Sequence, residues 1–248
     1  MLIGLFAGGR WHTTVIYLMV AAACGFLVRQ PITLVVKAYS GRRSRDVLPV
    51  AWFWIAVYAG VGLLHVTGLV LRGFGYLLYL AAPGVLIFGW YLLLLSRRAE
   101  RRQELMEILA TGAIALVAPA GMWAGSGTPQ AIGWWLWLLV WAQSATGIVY
   151  VYLRLEQRVL KQTPALRERM RQGTAALSIA SGSLGLAAGL GALGLVQRWL
   201  FVPFAVQWLE VLLGVCNPAV GQRPAKIGMR QLAVSVLFTI LFIVLWRV

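Results

Sequence analysis

The sequence predicts an all-α fold, a polytopic bundle of about eight complete transmembrane helices that follow an N-terminal half-helix remnant. Three observations predict it. Hydrophobic residues make up 60% of the 248 residues and charged residues only 12%, about half the charge of a soluble domain. The apolar residues fall in blocks, most of them longer than the ~18 residues that mark a membrane span. Basic residues lie between the blocks and alternate between two sides. We therefore expect residues 1–248 to form a single integral membrane domain.

The predicted helices follow the apolar blocks in chain order. Residues 1–7 are apolar but too short to cross a membrane, and we expect them to be the tail of a helix whose beginning is absent from this sequence. Pro31 is expected to kink the first complete span, because proline lacks the N–H that a helix needs. Residues 71–73 form only a very short turn. The complete spans are predicted at residues 13–38, 48–70, 74–95, 105–124, 131–153, 174–196, 200–215 and 229–246.

The arginines and lysines of the loops predict the orientation. Of the 22, seventeen fall in one set of loops, four in the other, and Arg29 lies inside a span. The side with the basic excess is expected to be cytoplasmic. We therefore predict a bacterial-type plasma membrane location with the basic loops inside and the C-terminus outside. The basic set is Lys37, Arg42, Arg43, Arg45, Arg97, Arg98, Arg101, Arg102, Arg154, Arg158, Lys161, Arg167, Arg169, Arg171, Arg223, Lys226 and Arg230; the other set is Arg10, Arg72, Arg198 and Arg247.

Several functional classes find little support in the residues. The net charge of +15 does not indicate nucleic-acid binding, because membrane topology already explains the basic loops. The chain has no HExxH motif, no nucleophile elbow and no cluster of metal ligands. Residues 189–194 match GxGxxG, but they lie in a predicted span and not between a strand and a helix. We interpret this stretch as small-residue helix packing, with Ser181, Gly185 and Gly189 four residues apart. The sequence predicts no catalytic residue, no metal site and no cofactor.

Charged residues inside spans are the most informative feature, because each costs about 2.5–3.5 kcal/mol at mid-bilayer on insertion scales. Arg29 and Glu210 qualify, and both are expected in the inner half of the bilayer, with Gln143 at a similar depth. One interpretation is a polar cavity open to the cytoplasm in which Arg29 and Glu210 form an ion pair. The other is structural: Arg29 extends its charge to the interface, and Glu210 bonds a neighbouring helix.

Four short motifs are spread over nearly the whole chain. They are residues 26–31 (Phe-Leu-Val-Arg-Gln-Pro) with Lys37 and Arg42-Arg43, residues 118–120 (Ala-Pro-Ala) after Glu104 and Glu107, residues 150–154 (Tyr-Val-Tyr-Leu-Arg) and residues 226–228 (Lys-Ile-Gly). Together they resemble the YwiC-like membrane proteins. Members of that family usually begin with a His-Gly-Ala-Trp-like segment on a first helix; its absence here agrees with the predicted helix remnant. The resemblance implies a multi-spanning membrane protein and no particular reaction.

A more distant likeness is topological. With one helix added at the start, the plan is similar to that of UbiA-type prenyltransferases, whose Asp-rich motifs hold Mg²⁺ in the loops that here correspond to residues 39–46 and 154–172. This sequence departs from that pattern, because Arg29, Gln30 and Arg154 stand at the matching helix ends. A lone Asp46 cannot supply the oxygen ligands that Mg²⁺ needs. Metal-dependent prenyl transfer is therefore not expected, whereas arginine can bind an anionic head group directly.

The working hypothesis is a protein without recognisable catalytic activity that binds an anionic lipid-like or isoprenoid molecule. The predicted ligand-binding residues, in a cavity facing the cytoplasm, are Arg29, Gln143, Arg154 and Glu210. The alternative is a small-solute transporter, although polar residues are sparse in the predicted outer half. A UbiA-related enzyme that lacks the Asp-rich motifs is third. The expected partners are membrane lipids, with no nucleic acid; the oligomeric state is not predicted.

Overall fold

The computed structural model describes residues 1–97 and 104–247, and within these ranges all regular structure is helical. Eight helical segments of the described chain are long and apolar enough to cross a membrane, which confirms the predicted polytopic fold and span count. They are Thr13–Tyr39, Arg45–Leu71, Gly75–Ser96, Glu104–Ser126, Ile132–Gln157, Thr174–Ala192, Arg198–Cys216 and Pro224–Trp246. The predicted loop residues Arg98, Arg101 and Arg102 lie outside the described residues. The side of the membrane on which each loop lies stays a prediction.

Contacts divide the chain into two compact units, Ile3–Pro129 and Gln130–Val248. The expectation of one membrane domain stays a prediction. In the first unit, α2 packs most extensively against α4, and α3 packs against α4 and α5. The helices of this unit are α1 (Leu2–Gly8), α2 (Thr13–Leu27), α3 (Arg29–Tyr39), α4 (Leu48–Leu71), α5 (Ala82–Ser96), α6 (Glu104–Ala115) and α7 (Val117–Ser126), with 3₁₀ turns at Arg45–Val47 and Gly75–Ala81.

Pro31 divides the first span, as predicted. Helix α2 ends at Leu27 and α3 follows after Val28. The break lies there because proline has no N–H to donate and its ring crowds the carbonyl group four residues earlier, which is that of Leu27. A second break lies at Leu116, between α6 and α7. Pro119 follows it by three residues, just as Pro31 follows Val28. This second break was not predicted.

The short helix α1 packs against α7 through glycines on both helices. A Cβ atom on Gly4 would lie 1.9 Å from the carbonyl oxygen of Ala118, and one on Gly125 would lie 3.1 Å from the Cα atom of Gly8. Each helix has two glycines four residues apart, Gly4 with Gly8 and Gly121 with Gly125. This GxxxG spacing lets two helix backbones approach closely in a membrane. The contact was not predicted, although both motifs can be read from the sequence.

The second unit is built around α11, which packs against α10 and α12 and touches α8 and the short helix α9. The last span begins earlier than predicted, at Pro224, because proline is well suited to the first helical turn, where its missing N–H is not needed. The helices are α8 (Ile132–Gln157), α9 (Leu166–Gln172), α10 (Thr174–Ala192), α11 (Phe201–Cys216) and α12 (Pro224–Trp246), with a 3₁₀ turn at Arg198–Leu200 before α11.

Helix α10 ends at Ala192, four residues before the predicted end. Gly194 adopts φ 70°, a left-handed conformation that favours glycine. The Leu195 N–H donates to the carbonyl oxygen of Leu190 at 3.0 Å, which completes a helix-ending turn. The GxGxxG stretch therefore lies at the end of a helix and not between a strand and a helix.

The predicted close packing of the α10 glycines is wrong. A Cβ atom on Gly185 or Gly189 would meet nothing within 4 Å in the described part of the chain. The helix instead packs through its opposite face, where Ala180, Ser183 and Ala187 are buried. The glycines lie on the exposed side, so their spacing alone did not indicate the packing face.

Candidate functional site

Arg29 begins α3 directly after the break before Pro31, and its guanidinium group lies beside two aromatic rings. The Cζ atom is 5.6 Å from the ring centroid of Phe26 and 5.5 Å from that of Phe88. Phe26 belongs to α2 and Phe88 to α5, so three helices position this contact. The Thr33 hydroxyl group donates to the Arg29 carbonyl oxygen at 2.7 Å, which satisfies a backbone acceptor on the same turn.

The two aromatic rings accept no conventional hydrogen bond from the guanidinium group, so its N–H donors are unused among the described residues. Within residues 1–97 and 104–247, the Arg29 side chain forms no hydrogen bond and no ion pair; its contacts are with Phe26 and Phe88. A guanidinium group carries five N–H donors in one plane. Such a planar set of donors is suited to a carboxylate or phosphate group, which can accept two parallel hydrogen bonds.

The surroundings of Arg29 combine positive charge with exposed apolar surface. Lys37 lies two turns further along α3, close to the end of the predicted span. On the other side of the break, Phe26 is 59% exposed and Leu27 is 47% exposed, and Leu86 on α5 is exposed as well. An amphiphilic anion could place its charge at the arginine and its apolar part along these side chains.

The second unit contains a polar face on α8 that contacts α11 and the segment after it. Its members recur every three or four residues, which is the spacing of one helix face. Thr146 bonds to Ser183 of α10 at 3.0 Å, whereas the other four bond to α11, to residues after it, or to one another. The polar face consists of Gln143, Thr146, Tyr150, Arg154 and Gln157.

Glu210 of α11 is held by two other helices. Arg230 of α12 donates from Nε to Oε1 at 2.6 Å and from Nη2 to Oε2 at 2.8 Å. The Tyr150 hydroxyl group donates to Oε1 at 3.0 Å. The sequence suggested Arg29 as the partner of Glu210; the structure supplies Arg230 instead, from the same half of the chain as Glu210. The bonds from Glu210 to neighbouring helices agree with the second, structural interpretation of this residue.

Arg154 is almost completely buried, with 2% of its surface exposed, and it caps the end of α11. Its Nη1 atom donates to the carbonyl oxygens of Gly214 at 2.7 Å and Asn217 at 2.6 Å, and to Gln157 Oε1 at 3.1 Å. The last carbonyl groups of a helix lack intrahelical partners and carry partial negative charge. Arg169 adds a bond to the Cys216 carbonyl oxygen at 2.7 Å, so two arginines satisfy the end of α11.

Gln143 contacts α11 through its backbone. Its carbonyl oxygen accepts a hydrogen bond from Gln207 Nε2 at 3.0 Å, whereas its side-chain oxygen accepts one from Ser144 at 3.4 Å. The Gln207 Oε1 atom is buried without a partner in the described chain. The structure thus brings Glu210 and Arg154 together around Tyr150, whose ring centroid is 5.9 Å from the Arg154 Cζ atom.

Arg230 is the main site residue that was not predicted. It was counted with the basic loop residues, although it stands at the very start of the predicted span 229–246; the observed helix begins five residues earlier, at Pro224. Tyr150 and Gln157 were not named as site residues either, although their positions four residues before and three residues after Arg154 place them on one helix face.

The described residues contain no group of three or more His, Cys, Asp or Glu side chains that could hold a metal ion. Asp46, the acidic residue in the first predicted cytoplasmic loop, is exposed and accepts a hydrogen bond from the Ser44 hydroxyl group.

The family model described as YwiC-like protein matches residues 1–122. This part of the chain is similar to the YwiC-like family. The match includes Arg29, Lys37 and both aromatic neighbours of Arg29, so the free guanidinium group lies in the YwiC-like part of the chain. It ends before α8, and the resemblance of the second unit to this family stays a prediction. No curated protein matches the chain, and no solved structure matches it.

Proposed function

We propose that this integral membrane protein binds an anionic, lipid-like molecule at Arg29. The observation that carries the proposal is the guanidinium group that lies beside the rings of Phe26 and Phe88 and has no acceptor among the described residues. Arg29 lies ten positions before Tyr39, where the span ends. The distance between the two residues along α3 is therefore about 15 Å. A phosphate or carboxylate at this position would supply the missing counter-charge.

Energetic reasoning favours a ligand at this position. A charged side chain inside a span costs about 2.5–3.5 kcal/mol on insertion scales. Aromatic stacking offsets about 0.5–2 kcal/mol of such a cost, and hydrogen bonds to an anion would offset more, because charge-assisted bonds are about twice as strong as neutral ones. The exposed Phe26, Leu27 and Leu86 side chains are suited to the apolar part of the same molecule.

The other three predicted ligand-binding residues do not support this site, because internal contacts account for them. Arg154 caps α11, Glu210 pairs with Arg230, and the Gln143 side chain is bonded to Ser144. A ligand role for these three stays a prediction. The proposal therefore rests on Arg29 alone, with Lys37 as the nearest basic side chain along α3.

Two matched probes test the proposal. The full chain is purified in detergent and titrated with farnesyl phosphate and with farnesol, which share an isoprenoid tail and differ in the phosphate group; native mass spectrometry reports the bound fraction. We expect binding of farnesyl phosphate but not of farnesol. Arg29→Gln is expected to abolish it, and Arg29→Lys to retain part of it, because lysine keeps the charge but lacks the planar set of donors.

Arg72→Gln is the matched control. Arg72 also stacks on an aromatic ring, with its Cζ atom 4.4 Å from the Tyr17 centroid, but its Nη1 atom already donates to the Gly68 carbonyl oxygen at 3.3 Å. Its substitution should leave probe binding unchanged. Equal binding of farnesyl phosphate to the parent chain and to Arg29→Gln would contradict the proposal. Solute flux into proteoliposomes that Arg29→Ala abolishes would instead favour the transporter.

A further inference from the structure

A groove of about 470 Å³ lies at the junction of α9 and α10 in the second unit. It is lined by Met170, Arg171, Thr174, Leu177, Ser178 and Ser181. The groove is shallow and open to the surface along its length. The lining changes along the groove, from a cationic side chain on α9 to hydroxyl groups and leucine on the first two turns of α10.

The cationic end of the groove has unused donors. Arg171 is 81% exposed and bonds to Glu168 through Nε and Nη2, which leaves its Nη1 atom without a partner among the described residues. Hydrogen bonds from Gln172 and Arg171 lower the pKa of the Glu168 carboxyl group, so this ion pair is present at neutral pH. Glu168 is nevertheless the only acidic residue between residues 158 and 172, a segment with five basic ones.

The other end of the groove is open and bordered by small side chains. Ser181 accepts a hydrogen bond from Trp208 Nε1 at 2.9 Å. A Cβ atom on Gly182 or Gly185 would meet nothing within 4 Å among the described residues. The surface of α10 beside these two glycines therefore has room for an extended apolar chain.

The short helix α9 that bears the cation is fixed in place. Arg169 donates from Nε to the Pro164 carbonyl oxygen at 2.6 Å and from Nη1 to the Cys216 carbonyl oxygen at 2.7 Å. Leu166 and Met170 are exposed beside the basic residues of α9. Exposed apolar and basic side chains on one short helix are typical of segments that lie at an anionic lipid surface.

We propose that the groove between α9 and α10 binds one anionic phospholipid, with its phosphate group at Arg171 and one acyl chain along Leu177 and Ser178. Charge complementarity selects the ligand class, since the mouth is basic and the interior is apolar with hydroxyl groups. This site is separate from Arg29, which lies in the other unit of the chain.

The test uses the full chain with the Arg29→Gln substitution, so that the site proposed there does not contribute. The delipidated protein is titrated in detergent with phosphatidylglycerol and with phosphatidylcholine of the same acyl chains, and native mass spectrometry reports the affinity for the first bound lipid. We expect phosphatidylglycerol to bind more tightly. Arg171→Gln is expected to weaken its binding by about fivefold, the effect of one basic residue near an anionic lipid, and to leave phosphatidylcholine unchanged.

Two further variants complete the design. Ser178→Leu fills the groove without a change of charge and should weaken binding of both lipids. Arg198→Gln removes an exposed positive charge near the opposite end of α10, where the Arg198 backbone packs against Gly191, and should have no effect. Equal affinity for the two lipids, or an Arg171→Gln protein that binds phosphatidylglycerol like its parent, would overturn the proposal and leave the Arg29 site unaffected.

Discussion

Arg230 holds the Glu210 carboxylate through two hydrogen bonds, at 2.6 and 2.8 Å, and thereby joins α12 to α11. Tyr150 adds α8 to the same carboxylate. Glu210 is only 11% exposed, whereas Arg230 is 49% exposed. The contact therefore lies where one partner is nearly buried and the other still reaches the surface of the unit.

Replacement of Arg230 should lower the free energy of unfolding more than replacement of Glu210. Arg230→Gln leaves a nearly buried carboxylate with one hydroxyl donor, and we expect the free energy of unfolding to fall by about 1–3 kcal/mol, less than for a fully buried pair because Arg230 is half exposed. Glu210→Gln should lower the free energy of unfolding by a smaller amount. The double variant should lose less than the sum of the two single losses, because the two residues interact directly. Unfolding in mixed micelles measures all three. Arg171→Gln, which breaks an exposed pair, serves as the control; strictly additive effects would contradict a direct interaction.

The cap on α11 predicts that Arg154 does not tolerate lysine. The lysine side chain is shorter than that of arginine, so its ammonium group does not reach the position of Nη1 between Gly214, Asn217 and Gln157, and at least one buried acceptor loses its donor. We expect a loss of about 1–3 kcal/mol in unfolding free energy. Arg167→Lys, on the exposed surface of α9, should change it little. An Arg154→Lys protein as stable as its parent would show that the cap contributes little.

The contact between α1 and α7 predicts that Gly4 does not accept a side chain. A methyl group there would overlap the Ala118 carbonyl oxygen, so Gly4→Ala must displace one of the two helices, at a cost of about 1–3 kcal/mol. Gly25→Ala on α2 is the matched control, because its Cβ atom would meet no described residue within 4 Å and alanine is the better helix former. Thermal unfolding in detergent compares the two; equal midpoints would argue against the close approach.

The alternation of basic loops predicts which turns share a compartment. Reporter fusions after Ser40 and after Gly125 should report opposite sides of the membrane, because two turns separated by three spans cannot lie on the same side. The fusion after Ser40 should be cytoplasmic. Fusions at Gln172 and Gly221 extend the test to the second unit and should both be cytoplasmic. Placement of Ser40 and Gly125 in one compartment would contradict the predicted topology.

Hydropathy was sufficient to predict all eight spans, because backbone groups in lipid must bond within their own helix and so require long apolar blocks. It was less informative about helix ends. The end of α10 depends on the left-handed conformation of Gly194, and the start of α12 on Pro224, neither of which alters an average over many residues. The second break depends on Pro119 in the same way.

The partners of the charged residues could not be predicted from depth alone. Arg29 and Glu210 were matched because both were expected in the inner half of the bilayer, yet the structure pairs Glu210 with Arg230. Arg230 stood at the start of the predicted span 229–246 but was counted with the basic loop residues, so it was not considered as the partner of Glu210. Side-chain partners depend on which helix faces meet, and neither hydropathy nor depth indicates this.

The break at Val28 separates α2 and α3 into two rigid rods that share one span. Phe26 is attached to the first rod and Arg29 to the second, while Phe88 approaches from α5. The distance between Phe26 and the guanidinium group is therefore set by the angle between these two helices, and the bend before Pro31 helps to position the aromatic neighbours of Arg29.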